Sequence, residues 1–310
     1  MQQQKWQGKS SGGVLGYKIF VFLLNTLGLP FSYFFLRFIA LFYFFFSKSN
    51  KTTYRYFKNA HGYSSFKAIV SVYKNYYVFG QTLLDKFALL SGVKTNFIVQ
   101  RDGQENLINI HNQKKGCLLI SAHMGNWEIA GQLLNTYDNL KFNMLVYDNE
   151  AEQMKKYMDS ILKEKRINLI GIRDNDISYL VELHKAFGKQ EWLVMHGDRF
   201  REGSPTIEKM FLGRKAKFPA GPFILAAKFG VPVLFSFCIK ENNKVYQLYA
   251  KTGIQLQKSH SEEETQASVK LLSDNYIQTL EEMVKKYPLQ WFNFYDYWHL
   301  PKWKNTDAAS

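Results

Sequence analysis

The chain has 310 residues, a formal net charge of +14 and two cysteines. This length suffices for one large domain with a sizeable hydrophobic core. Cys117 and Cys238 both lie in apolar runs, and no Cys-x-x-Cys pair is present. This pattern argues against a disulfide framework and a cysteine-based metal site, and it fits a reducing compartment.

The positive charge is concentrated in the first third of the chain. Residues 1–100 contain twelve lysines and arginines against one acid, Asp85. Such a surface suits nucleic acid, anionic lipid headgroups or an acidic protein. The same third is rich in phenylalanine and tyrosine, most densely in Phe31–Phe35 and Leu41–Phe46. Basic residues around a long apolar band favour a membrane and argue against nucleic acid.

The segment Val14–Phe46 is nearly continuous apolar sequence, interrupted by Lys18, Asn25, Pro30 and Arg37. It is too long for a signal-peptide core and lacks a small-residue cleavage site after it. Pro30 divides it into two short helical halves. Either a tilted helix spans the bilayer with snorkelling cations, or a helical hairpin lies in one leaflet, or the two halves form a soluble helix pair. Arg37 argues against a clean span of the second half.

The rest of the chain alternates in a way that predicts βαβ units. Residues 52–92 form an amphipathic helical stretch, either packed on the domain or facing a membrane. The predicted strands are Cys117–Ser121, Phe142–Tyr147, Ile167–Ile172, Trp192–Met195 and Val231–Ile239, with Lys244–Lys251 as an antiparallel edge strand. The predicted helices are Glu150–Lys165, Ile177–Phe187, Pro219–Phe229 and Glu262–Lys286, the last capped by Ser261. The fold class is therefore α/β, with a mostly parallel sheet flanked by helices and an N-terminal hydrophobic, membrane-associated helical segment.

The residues His123-Met124-Gly125-Asn126-Trp127-Glu128 lie between a predicted strand and a predicted helix. Open α/β sheets place ligands at such turns. A histidine can take a proton from a hydroxyl near neutral pH, and a nearby carboxylate fixes its tautomer and stabilises the imidazolium. The pair His123 and Glu128 therefore predicts general-base catalysis. His196, at another predicted strand end, is the competing histidine.

A second polar block follows the strand at Trp192–Met195. It contains Asp198 and Arg199 at the strand end, Arg214 in a glycine-arginine loop, and a proline-rich helix start at 219–222. Together these features could hold an anionic group. The alternative is that Asp198 and Arg199 form a structural ion pair and that the prolines only shape turns.

A histidine followed after four residues by an acid resembles the catalytic signature of the glycerolipid acyltransferase superfamily. The form with Gly-Asn-Trp-Glu is similar to the bacterial branch that acylates lipid A precursors and related glycolipids. The second block resembles the same family at Asp198, at Leu212-Gly213-Arg214 and at 219–222. The resemblance implies an O-acyltransferase in which His123 deprotonates an acceptor hydroxyl that attacks an acyl thioester, and in which Glu128 supports His123.

The resemblance also implies the partners and the location of the protein. The donor would be acyl carrier protein or acyl-CoA, the acceptor a lipid, and no metal or other cofactor is implied. Substrate would be bound by Asn126, Trp127, Asp198, Arg199 and Arg214, with the arginines holding a phosphate.

The expected organisation is a membrane anchor in residues 1–50, a catalytic domain in 51–301 and a loose tail in 302–310. The resemblance places the anchor in the inner (cytoplasmic) membrane, with the catalytic domain facing the cytoplasm. Basic residues lie on both sides of the apolar segment, so the positive-inside rule gives no orientation.

The C-terminal segment departs from the family pattern. Relatives that modify lipid A often carry Trp-x-His followed by basic residues, whereas this chain has Trp291 followed by Asn293 at the histidine position. The acceptor therefore stays open among lipid A precursors, related glycolipids, aryl-polyene pigments and amino-acid lipids. A non-catalytic lipid-binding protein of the same fold is a further alternative.

Overall fold

The computed structural model describes residues 14–90, 93, 95–126, 129, 140–147, 167–172, 177–200 and 203–298. The helices are α1 (Val14–Phe46), α2 (Asn50–Arg55), α3 (Ser65–Leu90), α4 (Gln104–Asn112), α5 (Ser178–Gly188), α6 (Gly221–Phe229) and α7 (Glu262–Lys286). The strands are β1 (Ile98–Asp102), β2 (Cys117–Ser121), β3 (Phe142–Tyr147), β4 (Ile167–Ile172), β5 (Trp192–His196), β6 (Thr206–Phe211), β7 (Arg214–Pro219), β8 (Val233–Lys240) and β9 (Val245–Thr252). A π-helical turn, Tyr56–Ala60, follows α2, and a 3₁₀ turn, Pro288–Gln290, follows α7.

Seven strands form one sheet in the order β1-β9-β8-β2-β5-β3-β4, and β6 and β7 form a separate hairpin. All neighbours in the large sheet are parallel except β8 and β9. The predicted α/β class with a mostly parallel sheet is confirmed. Strands β2 and β8 are buried along their whole length, as their continuous apolar sequences require. The predicted helix at 150–165 lies outside the described residues.

The prediction of an edge strand at Lys244–Lys251 was wrong in one respect. Strand β9 is antiparallel to β8 as expected, but β1 pairs with its other side and forms the edge. The sequence of β1, Ile-Val-Gln-Arg-Asp, is mostly exposed and contains no apolar run, so its periodicity does not distinguish it from a loop.

The N-terminal helix α1 bends where the sequence predicts a division. Gly28 adopts φ 75° and ψ 175°, just before Pro30. One face of α1, with Tyr33, Leu36 and Ala40, is buried. It packs along α3, where a Cβ on Gly80 would lie 2.4 Å from Leu36 Cδ1.

The opposite face of α1 is a continuous aromatic surface. Its exposed side chains include Phe34, Phe38, Phe42 and Phe45. The stretch Gly28–Phe46 is long and apolar enough to cross a membrane, and 22% of it is buried inside the molecule. This degree of burial differs from that of a core helix in a globular protein, which is apolar all round because it is enclosed all round.

The predicted helical stretch at 52–92 is divided. α2 and the π-helical turn pack Tyr56 and Phe57 into the main core, and a bend with Gly62 at φ 66° separates them from α3. The closing helix α7 has the predicted limits and cap. Ser261 and Glu264 form a reciprocal capping box.

A buried ionic cluster joins α1 to the sheet. The Asp85 carboxylate of α3 accepts hydrogen bonds from Tyr33 of α1, Lys240 of β8 and Tyr246 of β9. The Lys240 ammonium also donates to the Tyr33 hydroxyl over 3.0 Å. The Asp85 and Lys240 side chains are 0% and 3% exposed, so the pair is almost fully removed from water.

Candidate active site

The turn after β2 is fixed by backbone contacts on both sides. The Met124 N–H donates to the Ala122 carbonyl (2.7 Å), and the Asn126 N–H donates to the Cys238 carbonyl of β8 (2.7 Å). Gly125 has φ 64°, and a Cβ there would lie 2.0 Å from the Cys238 oxygen. Only glycine fits this position, so the sequence of the turn determines where His123 lies.

Strand register brings His123 next to Asp198. In the parallel pair of β2 and β5, Ser121 lies opposite His196. His123 and Asp198 each come two residues after these partners, so they leave the sheet side by side. The distance from His123 Nδ1 to Asp198 Oδ1 is 2.8 Å, and the His123 backbone N–H donates to Asp198 Oδ2 over 3.0 Å.

The Asp198 carboxylate is buried and held from several directions. It is 0% exposed, and its Oδ2 also accepts from Trp291 Nε1–H over 3.1 Å. The Tyr297 hydroxyl donates to the Asp198 carbonyl over 3.0 Å. Burial alone raises the pKa of this carboxyl, but the His123 ring and the nearby Arg199 charge more than offset it and hold the pKa well below its ordinary value. Asp198 is therefore ionised at neutral pH.

His196 lies beside His123 in the same site. The two ring centroids are 4.3 Å apart. Burial, together with the His123 and Arg199 charges and against the opposing charge of Asp198, lowers the pKa of His196 to about 3. His196 is therefore neutral at physiological pH, whereas His123 has the carboxylate partner that stabilises an imidazolium.

The C-terminal aromatic segment encloses this pair of strand ends. The Phe292 N–H donates to the His123 carbonyl over 3.0 Å, and Met124 bridges to Trp291. Arg199 donates from Nη2 to the Phe292 carbonyl. The segment is therefore part of the site as well as part of the core, and Trp291 holds the carboxylate in place.

The arrangement is suited to general-base chemistry. Because Nδ1 of His123 is hydrogen-bonded to the ionised Asp198, Nε2 is the ring nitrogen that is left to take a proton. The His123 side chain is 32% exposed, so a substrate can reach it. The N–H groups of Met124, Gly125 and Asn126 already donate to protein carbonyls.

The described residues also offer one set of potential metal ligands. Ligand atoms of His123, His196 and Asp198 lie within 4.8 Å of one another. However, the Asp198 oxygens already accept hydrogen bonds from His123 and Trp291. These hydrogen bonds are those of a proton-transfer pair, in which Asp198 orients the His123 ring.

The structure brings some of the sequence-predicted site residues together and leaves others apart. His123 and Asp198 come together. Asn126 is buried; its amide donates to the Thr82 carbonyl (2.8 Å), and its oxygen accepts from the Ile129 N–H. Arg214 is exposed at the start of β7, with no described contact to His123. Trp127 and Glu128 lie outside the described residues.

Sequence reasoning missed the role of Asp198 as the partner of His123. The sequence indicates Asp198 only as a ligand for substrate or as an ion-pair partner of Arg199. The signal was present in two predicted strands, each followed within three residues by a histidine or an aspartate. It becomes specific only when β2 and β5 are known to be neighbours with Ser121 opposite His196.

Comparison with known proteins gives one family. The family model described as "Bacterial lipid A biosynthesis acyltransferase" matches residues 8–304, nearly the whole chain. A search of curated proteins finds no match.

Proposed function

Because the chain belongs to the bacterial lipid A biosynthesis acyltransferase family, we propose that it is a membrane-associated O-acyltransferase using His123 as its general base. It moves a fatty acyl group from an acyl thioester, carried by acyl carrier protein or coenzyme A, to a hydroxyl of a lipid A precursor or related glycolipid. The observation that supports this most directly is the hydrogen bond between His123 and the buried, ionised Asp198.

In the proposed mechanism, Nε2 of His123 takes the proton of the acceptor hydroxyl as its oxygen attacks the thioester carbonyl. Asp198 holds the ring and stabilises the imidazolium. The tetrahedral intermediate collapses, the carbon–sulfur bond breaks, and the thiolate takes the proton from His123. Since the turn N–H groups at 124–126 are engaged, the donors that stabilise the oxyanion come from outside this turn.

Glu128 retains its predicted role as a supporting acid in this mechanism. Because Asp198 already occupies Nδ1 of His123, we place Glu128 second in importance to Asp198 for the orientation of the ring. Arg199 and Arg214 remain our candidates for binding a phosphate of the acceptor or of the pantetheine arm.

The exposed aromatic face of α1 supports membrane association. We place α1 in the inner membrane and the catalytic domain on the cytoplasmic side. Acyl carrier protein and acyl-CoA are cytoplasmic donors, which is consistent with this orientation.

Lipid mass spectrometry on cells with and without the gene tests the proposed function. We expect one acyl chain to be lost from a membrane glycolipid without the gene, and restored by wild type but not by His123→Ala. An aryl-polyene or amino-acid-lipid acceptor is the second candidate, favoured by Asn293 at the histidine position of the family pattern. Loss of acylation from such a compound, with glycolipids unchanged, would select it. Full restoration by His123→Ala would contradict the mechanism.

A further inference from the structure

A groove lies behind the active-site segment, between the N-terminal half of α3 and the turn after α7. Its volume is about 420 Å³, within the ordinary range for small-ligand sites. Its apolar lining comes from Phe66 and Val70 on one wall and from Pro288 and Leu289 on the other. The groove is separate from the pair formed by His123 and Asp198, which lies beyond Trp291.

Two lysines give the groove a positive rim. Lys67 and Lys74 lie two turns apart on α3, line the groove and are both exposed. Among the described residues, no carboxylate forms an ion pair with either. Lys67 Nζ lies 3.7 Å from the ring centroid of Tyr63, another lining residue. A third lysine, Lys286, donates to the Tyr249 hydroxyl over 2.9 Å and lies near Glu241, so its charge is partly neutralised.

A neighbouring histidine, His61, also responds to positive charge near the groove. Burial, with smaller contributions from the charges of Lys285 and Lys67, lowers the pKa of His61 to about 4. Lys285 is itself paired with Glu281 over 2.5 Å. The unpaired positive charge at this end of the groove therefore belongs mainly to Lys67 and Lys74.

The groove lies next to the end of the apolar helix. Tyr76 of α3 donates to Ser47 Oγ over 3.0 Å, just after α1 ends at Phe46, and the Tyr73 ring packs on Phe44. Because α3 runs antiparallel to α1, its residues before Tyr73 extend past that end. There the chain turns from phenylalanines to polar and basic residues, beginning with Lys48. The groove therefore lies where the apolar surface of α1 gives way to polar and basic sequence, a change that is typical of a membrane interface.

Exposed apolar side chains continue from α1 onto the rim of the groove. Phe66 is 79% exposed and Ile69 is 45% exposed. Aromatic residues combined with lysines are the usual composition of a protein surface at the membrane interface. A concave site for one headgroup, with an apolar floor, suits a lipid better than the flat face of an acidic protein.

We propose that this groove binds one anionic phospholipid. Its phosphate is held by Lys67 and Lys74, and the part of an acyl chain nearest the headgroup lies along Val70 and Leu289. The proposal uses the membrane position of α1, which is part of the proposed function, but it does not depend on acyl transfer. Binding is therefore measured directly, and also in the His123→Ala variant, in which transfer is expected to be strongly reduced.

The test uses the full chain in phosphatidylcholine nanodiscs with dihexanoyl-phosphatidylglycerol as titrant, followed by native mass spectrometry. We expect one tightly bound phosphatidylglycerol per chain. The double variant Lys67→Gln/Lys74→Gln should weaken this binding about tenfold. The matched control, Lys115→Gln/Lys189→Gln, removes the same charge from exposed positions elsewhere and should leave binding unchanged.

Three results would overturn the proposal. The first is equal binding of dihexanoyl-phosphatidylglycerol and dihexanoyl-phosphatidylcholine, and the second is equal loss in both double variants. The third is loss of acyl carrier protein binding in Lys67→Gln/Lys74→Gln with phosphatidylglycerol binding intact, which would assign the groove to an acidic protein. Circular dichroism of each variant checks that these surface changes leave the fold unchanged.

Discussion

At the scale of single residues, the two histidines of the site share a location but differ in their partners. His123 has an ionised aspartate at Nδ1, and His196 is a neutral neighbour. We expect His123→Ala to reduce transfer by about 10²–10⁴-fold, the usual contribution of a general base, and His196→Ala to leave measurable activity. Initial rates with purified, detergent-solubilised protein measure this. Equal loss in both would contradict the assignment of the base.

The two carboxylates can be ranked in the same assay. Asp198→Asn removes the charge that stabilises the imidazolium and is expected to cost at least as much as Glu128→Gln. Both changes keep the volume of the side chain, and the thermal midpoint of each variant is measured alongside its rate to separate loss of folding from loss of catalysis. A larger loss for Glu128→Gln would return the principal role to Glu128.

The lowered pKa of His196 predicts how stability depends on pH. Its pKa of about 3 in the folded protein lies below its ordinary value near 6.5. Between these two pH values His196 is protonated in the unfolded chain but neutral in the folded chain. Stability is therefore lost as the pH falls. The thermal midpoint of wild type should therefore decrease more between pH 7 and pH 5 than that of His196→Gln. The exposed His260→Gln is the control, and parallel curves for all three proteins would contradict the prediction.

At the scale of elements, the turn after β2 depends on Gly125. An alanine there would require φ near 64° and would place Cβ 2.0 Å from the Cys238 oxygen. We expect Gly125→Ala to destabilise the protein by about 3 kcal/mol or more and to abolish transfer. Gly213→Ala is a matched control, because its φ is 76° but nothing lies within 4 Å of its Cβ. It should cost only about 1–2 kcal/mol, as measured by denaturant unfolding.

Whether an element could be predicted from the sequence depends on how fully it is buried. Strands β2 and β8 are enclosed on both faces and read as apolar runs, and α7 carries its cap and charge pattern within the helix. Strand β1 has no such pattern. Likewise the motif identified His123, but the pairing with Asp198 depends on contact between residues 75 apart in sequence. Local periodicity carries no information about which strands become neighbours.

At the scale of the whole molecule, the buried pair of Asp85 and Lys240 joins α1, α3 and the sheet. Removing one partner leaves the other charge buried and unpaired, so Lys240→Met is expected to cost about 3–5 kcal/mol. The double variant Asp85→Leu/Lys240→Met should cost less than the sum of the single changes. Thermal unfolding of all four proteins in detergent measures this, and additive losses would show that the pair is not coupled.

The same cluster has a consequence for how the protein is made. Tyr33 of α1 contacts the ammonium of Lys240, which is 207 residues later in the chain. At a synthesis rate of about 5–20 residues per second, Tyr33 is synthesised roughly 10–40 s before that lysine. During this interval its buried face has no completed sheet to pack against, while its phenylalanines can already enter lipid. If α1 has the membrane position proposed above, the bilayer is its first partner, and the catalytic domain assembles later against a helix that is already held at the membrane.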